Sequence, residues 1–478
     1  MPDVNRETLA STVRTLWERD VLPSLSDLVA IPAVSESFDP DWAANGHLAA
    51  AVEHVRAWLA DRDLPDATTE VVTLPGKSPV LLLDVPGAQA AGTVLLYGHL
   101  DKQPPVGGWA DGLDPWTPVI RDGRLYGRGA ADDGYAGYAA TVAVEAVRAA
   151  GGLHGRCVVL LETGEESGSP DLPAYLELLA PRIGDVSLVV CLDSGTGDYQ
   201  RMWLTTSLRG LVQTTVTARL LTMGQHSGIA GGIIPSTFRV LRQLLDRVED
   251  PVTGEVRIPE MHVDIPAARA TEAKDAVTAV PAMVRAGLPL LPGVSLVDDD
   301  ETELALNNTW RPTMAVIGAD GMPAPDDAGN VLRPETTLCL SFRLPPTADS
   351  TAARDALRTA LTTDVPYHAQ VELSRVESAD GWHAPELAPW LRDALDDASE
   401  SVFGAPWRGF GIGGSIPFMG LLHEKYPNAQ FVVTGALGPG SNAHVPDESL
   451  HLAYVHKVTE AVALLLDAHA RQAGTDGG

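Results

Sequence analysis

Apolar and polar positions follow different rhythms along this chain, and the changes of rhythm mark its domains. Residues 6–29 carry apolar side chains at helical spacing and predict an opening helix. Short continuous apolar runs follow at Val80–Val85, Thr93–His99, Cys157–Thr163 and Ser187–Asp193. Asp132–Ala150 is rich in Ala, Val and Tyr and stops at Gly151-Gly152, a helix followed by its stop signal. Strands that are apolar on both faces and separated by helices predict a largely parallel sheet in an α/β domain.

Near residue 208 the rhythm changes. Gln213–Ala218 alternates polar and apolar, as a half-exposed strand does, and Phe238, Leu241, Leu245 and Val248 fall at helical spacing. A Pro- and Asp-rich stretch with weak periodicity covers about 250–308. Strands are predicted at Thr313–Ile317, Thr337–Phe342 and Ala369–Ser374, with a helix at Ala352–Leu361. From Trp382 the buried α/β character resumes, with an apolar run at Phe431–Thr434 and a last helix carrying Leu452, Val455, Val462 and Leu466 on one face. The expected organisation is one α/β domain built from 1–208 and 382–478, interrupted by an α+β domain at 209–381.

Charge removes one class of partner. With 34 Lys+Arg against 63 Asp+Glu the chain carries −29, and no basic stripe interrupts that field, so a nucleic acid backbone is not an expected partner. No apolar run reaches the roughly 20 residues that span a bilayer, and the first residues are polar, so a soluble cytoplasmic protein is expected. Cys157, Cys191 and Cys339 each sit in a strand-like run without C-x-x-C pairing and read as buried reduced thiols.

The chemistry lies at the ends of the buried strands. Thr93–His99 leads into His99-Leu-Asp101, Cys157–Thr163 into Glu165-Glu166, and the run from Val189 ends in Asp193, while Asp132 opens a helix after a Gly-rich turn. In open α/β sheets ligand sites lie at the carboxyl ends of the strands, so these groups are expected to converge. Several carboxylates at one place resist simultaneous ionisation, and divalent cations relieve that repulsion. Two such cations are balanced by Asp132, Glu166 and Asp193 with neutral His99 and His444 and a bridging hydroxide. Imidazole with carboxylate suits zinc, and also manganese or cobalt. Asp101 suits a supporting role, accepting the other ring N–H of His99. Of two adjacent glutamates, one can ligate while the other acts as general base. Ser415 is not a nucleophile candidate, because no G-x-S-x-G surrounds it.

Gly98-His-Leu-Asp-Lys-Gln-Pro104, Gly127-Arg-Gly-Ala-Ala-Asp-Asp-Gly134, Glu162-Thr-Gly-Glu-Glu-Ser-Gly168 and Ala443-His-Val-Pro-Asp-Glu448 occur in this order. Together they resemble the two-metal peptidase family of carnosine dipeptidases, aminoacylases and glutamate carboxypeptidases. The resemblance spans nearly the whole chain and is strongest to the carnosinase-like dipeptidases. It implies a zinc-peptidase-like catalytic domain with an inserted lid and dimerisation domain. It puts His99 and Asp193 on one metal and Glu166 and His444 on the other, with Asp132 bridging and Glu165 as base. In the inserted domain it implies that His226, in Gln225-His-Ser-Gly228, stabilises the oxyanion in the partner subunit's site, and that Arg343 grips a substrate carboxylate. Gly414 and Ser415 would contact that same carboxylate, and Asn330 falls in a segment that reads Asn330-Val-Leu-Arg-Pro334 where the family has Asn-Val-Ile-Pro.

Ile412 stands before the Gly413-Gly414-Ser415 loop where carnosinase-like members tend to have Glu. The expected activity is hydrolysis of the amide of a dipeptide or similar small substrate with a free carboxylate, in a homodimer. The alternative is an N-acyl amino acid deacylase or desuccinylase on the same site. A binding protein without catalysis on this scaffold is disfavoured, because neither Glu165 nor any expected ligand is missing. Amide formation in a biosynthetic pathway is a further rival use of the same site.

Overall fold

The computed structural model describes residues 4–88, 91–286, 288–414 and 417–472. The chain forms two compact units, one of Met1–Thr205, Ala384–Gly409 and Leu421–Gly478, the other of Thr206–His383 and Phe410–Gly420. The fold is mixed α/β, with a mostly parallel sheet flanked by helices in the first unit.

That sheet has the strand order Thr68–Val72, Val80–Val85, Arg156–Glu162, Thr93–His99, Val186–Cys191, Gln430–Val433. Thr93–His99 lies parallel to both of its neighbours, and Gln430–Val433 extends the parallel set beyond Val186–Cys191. Val80–Val85 pairs antiparallel to Arg156–Glu162 and carries Thr68–Val72, also antiparallel, at the edge. Every residue of Thr93–His99 is buried, as expected of a strand covered on both faces. The helix Ala136–Ala149 packs on this strand and on Arg156–Glu162, and the long helix Leu452–Gln472 packs on it in turn. Close approach needs a small residue: a Cβ at Gly137 would come within 2.6 Å of Leu161 Cδ1.

Two local expectations are modified. The opening helix runs from Arg6 to Val29 but contains a π turn at Trp17–Val21, just before Pro23, which has no N–H to give. The turn keeps Trp17, Val21, Leu25 and Leu28 buried, and Trp17 Nε1 donates to Thr459 Oγ1 at 3.1 Å. The helix expected over Asp132–Ala150 begins at Ala136 rather than Asp132, because the Asp132 N–H is held by a side chain from elsewhere in the chain.

The second unit holds a four-stranded antiparallel sheet in the order Thr313–Asp320, Glu335–Leu344, Gly210–Arg219, Gln370–Ala379. Alternate residues of Glu335–Leu344 are buried, and Leu340, Phe342 and Leu344 pack with residues of the helices Thr237–Val248 and Ser350–Thr362. The intervening residues, Cys339 and Arg343 among them, face the other way. Cys339 is therefore half-buried, not buried as expected, whereas Cys157 and Cys191 are fully buried. The stretch of weak periodicity contains two helices, Ala267–Ala279 and Glu301–Thr309. Ala273, Val277, Ala305 and Leu306 pack with Trp310, and the first helix buries just Ala273, Ala276 and Val277, too few and too small to leave much periodic signal.

Candidate metal centre and active site

Strand ends and turns of the first unit bring the expected acids and histidines together. His99 ends its strand, Asp193 follows Val186–Cys191, and Glu165 and Glu166 sit in the 3₁₀ turn Glu165–Ser167 after Arg156–Glu162. Asp132 lies in the turn before Ala136–Ala149, joined to Asp133 by a cis peptide. A Cβ at position 98 would meet Ala136 Cβ at 2.5 Å and Asp133 Oδ2 at 2.8 Å, so Gly98 is what lets this turn lie against the strand end. His444 comes from the loop before Ser449–His451 and takes a left-handed conformation, φ 64°.

The donors fall into two groups that share Asp132. His99, Asp132 and Asp193 form one, and Asp132, Glu166 and His444 the other, with ligand atoms of each group within 4.8 Å of one another. His99 Nε2 is 3.4 Å from Asp132 Oδ1 and 3.9 Å from Asp193 Oδ2. His444 Nε2 is 3.0 Å from Asp132 Oδ2 and 3.3 Å from Glu166 Oε2. Glu165 Oε2 stands 3.9 Å from His99 Nε2 and belongs to neither group.

The electrostatics ask for cations. Burial pushes the Glu165 carboxyl well above the usual range, with the Asp193 charge adding to it, and burial pushes Asp193 up to about 7. His444 is pushed up to about 10 by its bonds to Asp132 and Glu166. The buried atoms His99 Nε2 and Glu166 Oε1 find no hydrogen-bond partner among the described residues. Imidazole nitrogens, carboxylate oxygens and orphaned buried donor atoms at one place fit a pair of divalent ions.

Asp101 is placed differently from the simplest expectation. The acceptor nearest to His99 Nδ1 is the Asp101 main-chain carbonyl at 3.0 Å, with the carboxylate Oδ1 at 3.4 Å. The carboxylate accepts from the backbone N–H of Glu165 at 3.2 Å and of Glu166 at 3.0 Å. It thereby ties the histidine to the glutamate turn.

Three supporting residues lay inside the quoted motifs without being singled out. Glu448 is wholly buried; its Oε1 accepts from the N–H of Ala131 and of Asp132, both at 3.1 Å, and its Oε2 from Arg128 Nη1 at 2.8 Å. Gln103 Nε2 donates to Glu166 Oε2 at 2.6 Å. Lys102 is buried, and its ammonium donates to the carbonyls of Leu28, Val29 and Ile31, gripping the end of the opening helix. For Lys102 the available signal was a charge placed directly after an apolar strand, since buried charges require partners.

The remaining expected residues lie in the second unit. His226 is exposed, and its Nδ1 accepts from Gly228 N at 3.0 Å, which leaves Nε2 to carry the proton of the neutral ring. Asn330 sits beside it: its carbonyl accepts from Ser227 N at 2.8 Å, and Val331 pairs with His226. Arg343 is half-buried on the open face of the antiparallel sheet. The Gly414 carbonyl accepts from Arg209 N at 3.0 Å. Ser415 lies outside the described residues.

The profile of peptidase family M20/M25/M40 matches residues 95–468. The cysteinylglycine-S-conjugate dipeptidase of Corynebacterium striatum is 28% identical over 383 residues, covering 79% of this chain and 81% of that protein. The human beta-Ala-His dipeptidase is 30% identical over 209 residues, 43% of this chain and 40% of that one. The crystal structure of human carnosine dipeptidase 1 superposes with a TM-score of 0.74 at 22% identity, covering 98% of this chain and 100% of that chain, a likeness of fold.

Proposed function

Since this chain belongs to peptidase family M20/M25/M40 and is a peptidase, we propose that it is a two-metal dipeptidase that hydrolyses the amide of small peptides with a free carboxylate. The observation that carries the proposal is the pair of donor groups sharing Asp132, with the buried Glu165 carboxyl beside them and outside both. His99 and Asp193 would hold one ion, Glu166 and His444 the other, and Asp132 both; zinc suits this donor set best, with manganese or cobalt as substitutes. Once bound, the ions supply Lewis acidity at the scissile carbonyl and make water more acidic.

The chain's own groups do the rest. Glu165 Oε2 takes the proton of the attacking water and passes it to the leaving amine. Arg343 forks onto the substrate carboxylate, which Gly414 and Ser415 would also contact. His226 Nε2–H donates to the oxyanion in the partner subunit of a homodimer. Val316 and Ile317, 47% and 56% exposed on the edge strand Thr313–Asp320, support pairing between copies. Unpaired cysteines suit a cytoplasmic setting. Among the described residues no helix is long and apolar enough to cross a membrane.

Ile412 favours one second reading. It offers no charge to a substrate α-ammonium, which suits an acyl cap and N-acyl amino acid deacylation or desuccinylation. The test sets dipeptides against N-acetyl and N-succinyl amino acids, with zinc, manganese or cobalt returned to metal-stripped protein. Dipeptide hydrolysis that vanishes on chelation and returns with metal is expected, along with a lower Tm in the stripped protein. Full activity with metal content verified near zero would end the two-metal reading.

A further inference from the structure

The second unit contains a cavity of about 260 Å³ beside Arg343 that the proposed chemistry leaves unused. It is open to solvent and lined by apolar residues, Val284, Leu296 and Leu304 among them, together with polar ones that include Arg209, Asn308 and Thr313. Thr313 is the direct cross-strand partner of Arg343. Paired residues of adjacent strands stand on the same face with Cβ atoms ~5 Å apart, so the cavity opens within one side chain's reach of that guanidinium.

The two arginines of the lining already have partners. Arg209 Nε donates to the Gly413 carbonyl at 3.0 Å and Nη1 to Thr313 Oγ1 at 3.1 Å. Arg285 at the rim pairs with Glu301 at 2.7 Å. A Cβ at Gly413 would meet Asn308 Oδ1 at 2.7 Å, so the Gly413-Gly414 loop rests on the same asparagine that lines the cavity. With these cations engaged, Val284, Leu296 and Leu304 offer a ligand hydrocarbon beside the Asn308 side chain.

Resting on the dipeptidase reading, we infer that this cavity receives the side chain of the substrate's carboxyl-terminal residue, and that the preferred substrates end in a medium-sized apolar residue such as Leu, Met or Phe. The geometry requires little else. In an amino acid the side chain branches from the carbon that bears the carboxylate, so a group held at Arg343 projects its side chain into whatever lies alongside. The volume lies just below the roughly 300–1,000 Å³ of pockets that enclose whole drug-sized ligands, and suits one side chain. Burying it should raise kcat/KM about 10- to 100-fold over a glycine terminus.

The experiment uses the full metal-loaded chain with Ala-Gly, Ala-Leu, Ala-Phe and Ala-Asp, and with N-acetyl-Gly, N-acetyl-Leu and N-acetyl-Phe. Each series varies the same terminal residue. Val284→Trp fills the cavity from its half-exposed rim, and Val284→Ala enlarges it. The expected result is a Leu or Phe preference of at least tenfold in whichever series is hydrolysed. Val284→Trp should bring that ratio near one, and Val284→Ala should shift it toward Phe. Hydrolysis with no preference, or with preference for Gly or Asp, overturns the inference and leaves the hydrolase reading standing. So does a Leu preference that Val284→Trp leaves in place while its Tm matches wild type. If neither series is hydrolysed by protein with verified bound metal, the hydrolase reading itself falls and takes the inference with it.

Discussion

The strand-end cluster of the first unit and the open sheet face of the second present candidate functional residues in opposite ways. His99, Asp132 and Asp193 are buried, and their backbone or side chains are fixed by further buried groups such as Asp101 and Glu448. His226 and Asn330 are exposed, and Arg343 is half-buried on a sheet whose other face carries the core. A buried acid cluster is costly in itself and needs cations, so its own chemistry announces a site. An arginine or histidine on an open face costs nothing and announces nothing alone. Substitutions in the two regions should therefore fail differently: in the first by losing metal or proton transfer, in the second by losing grip on substrate with metal retained.

The largest effect should separate neighbours within the cluster. Glu165→Gln should lower kcat by about 10²–10⁴-fold, the usual weight of a positioned general base, with metal content at the wild-type level. Glu166→Gln should lose metal instead. Metal analysis beside steady-state kinetics reads both, and the reverse pattern would mean that the two glutamates have exchanged roles.

Next comes His226. Removing an oxyanion donor costs about 10²–10³-fold in kcat, and His226→Ala should lose that much with both metals bound. Mixing His226→Ala with Glu165→Gln under subunit exchange should restore activity if the histidine serves its partner, since one site of each heterodimer then has both groups intact. Verified exchange without recovery would remove the action in trans. Arg343→Ala should cost about 2–5 kcal/mol in kcat/KM, the range for truncating one side of a buried hydrogen-bonded charge pair. Amidating the substrate's terminus should cost wild type a similar amount and the variant little.

The same contrast explains what could be read from sequence. The parallel sheet was legible because Thr93–His99 and its neighbours are apolar on both faces, and the turn acids were legible because they follow those runs directly. The helix Ala267–Ala279 was not, because so little of it is buried. Nor was the role of Glu448, whose partners Arg128 and Asp132 lie some three hundred residues away in the chain. A long-range contact of that kind leaves no local pattern; only its place in the quoted motif marked it. His226 and Arg343 were named through family resemblance alone, as expected for residues on open faces.

Glu448 gives a smaller, sharper test of the first region. Its carboxylate fixes the backbone at the shared ligand Asp132 and sits four residues from His444. Glu448→Gln would turn an amide N–H₂ or a single carbonyl toward two backbone donors and weaken that hold. Metal affinity should fall about 10- to 100-fold, the usual weight of a group that orients a ligand. Competition with a chelator, read at a temperature where circular dichroism shows both proteins folded, measures it. Unchanged affinity would mean that the turn holds Asp132 without help.

The smallest effect concerns the fold rather than the reaction, and again divides the two regions. The buried histidines among the described residues, His99, His154 and His469, all lie in the first unit. His469 is remote from the metal ligands in sequence; its Nε2 meets Ser187 Oγ at 2.8 Å, and burial pulls its pKa down to about 4. An unfolded histidine titrates near ~6.5, so between these values the unfolded state binds a proton that the folded state refuses. Stability is therefore complete above that window and falls as pH drops through it, by about 2 kcal/mol from pH 7 to pH 5 for this one group. His469→Gln keeps a polar partner for Ser187 but cannot titrate. Denaturant melts of the metal-stripped proteins at the two pH values should show a smaller acid loss in the variant, by about that 2 kcal/mol. Equal losses in the two proteins would mean that His469 takes up its proton without unfolding.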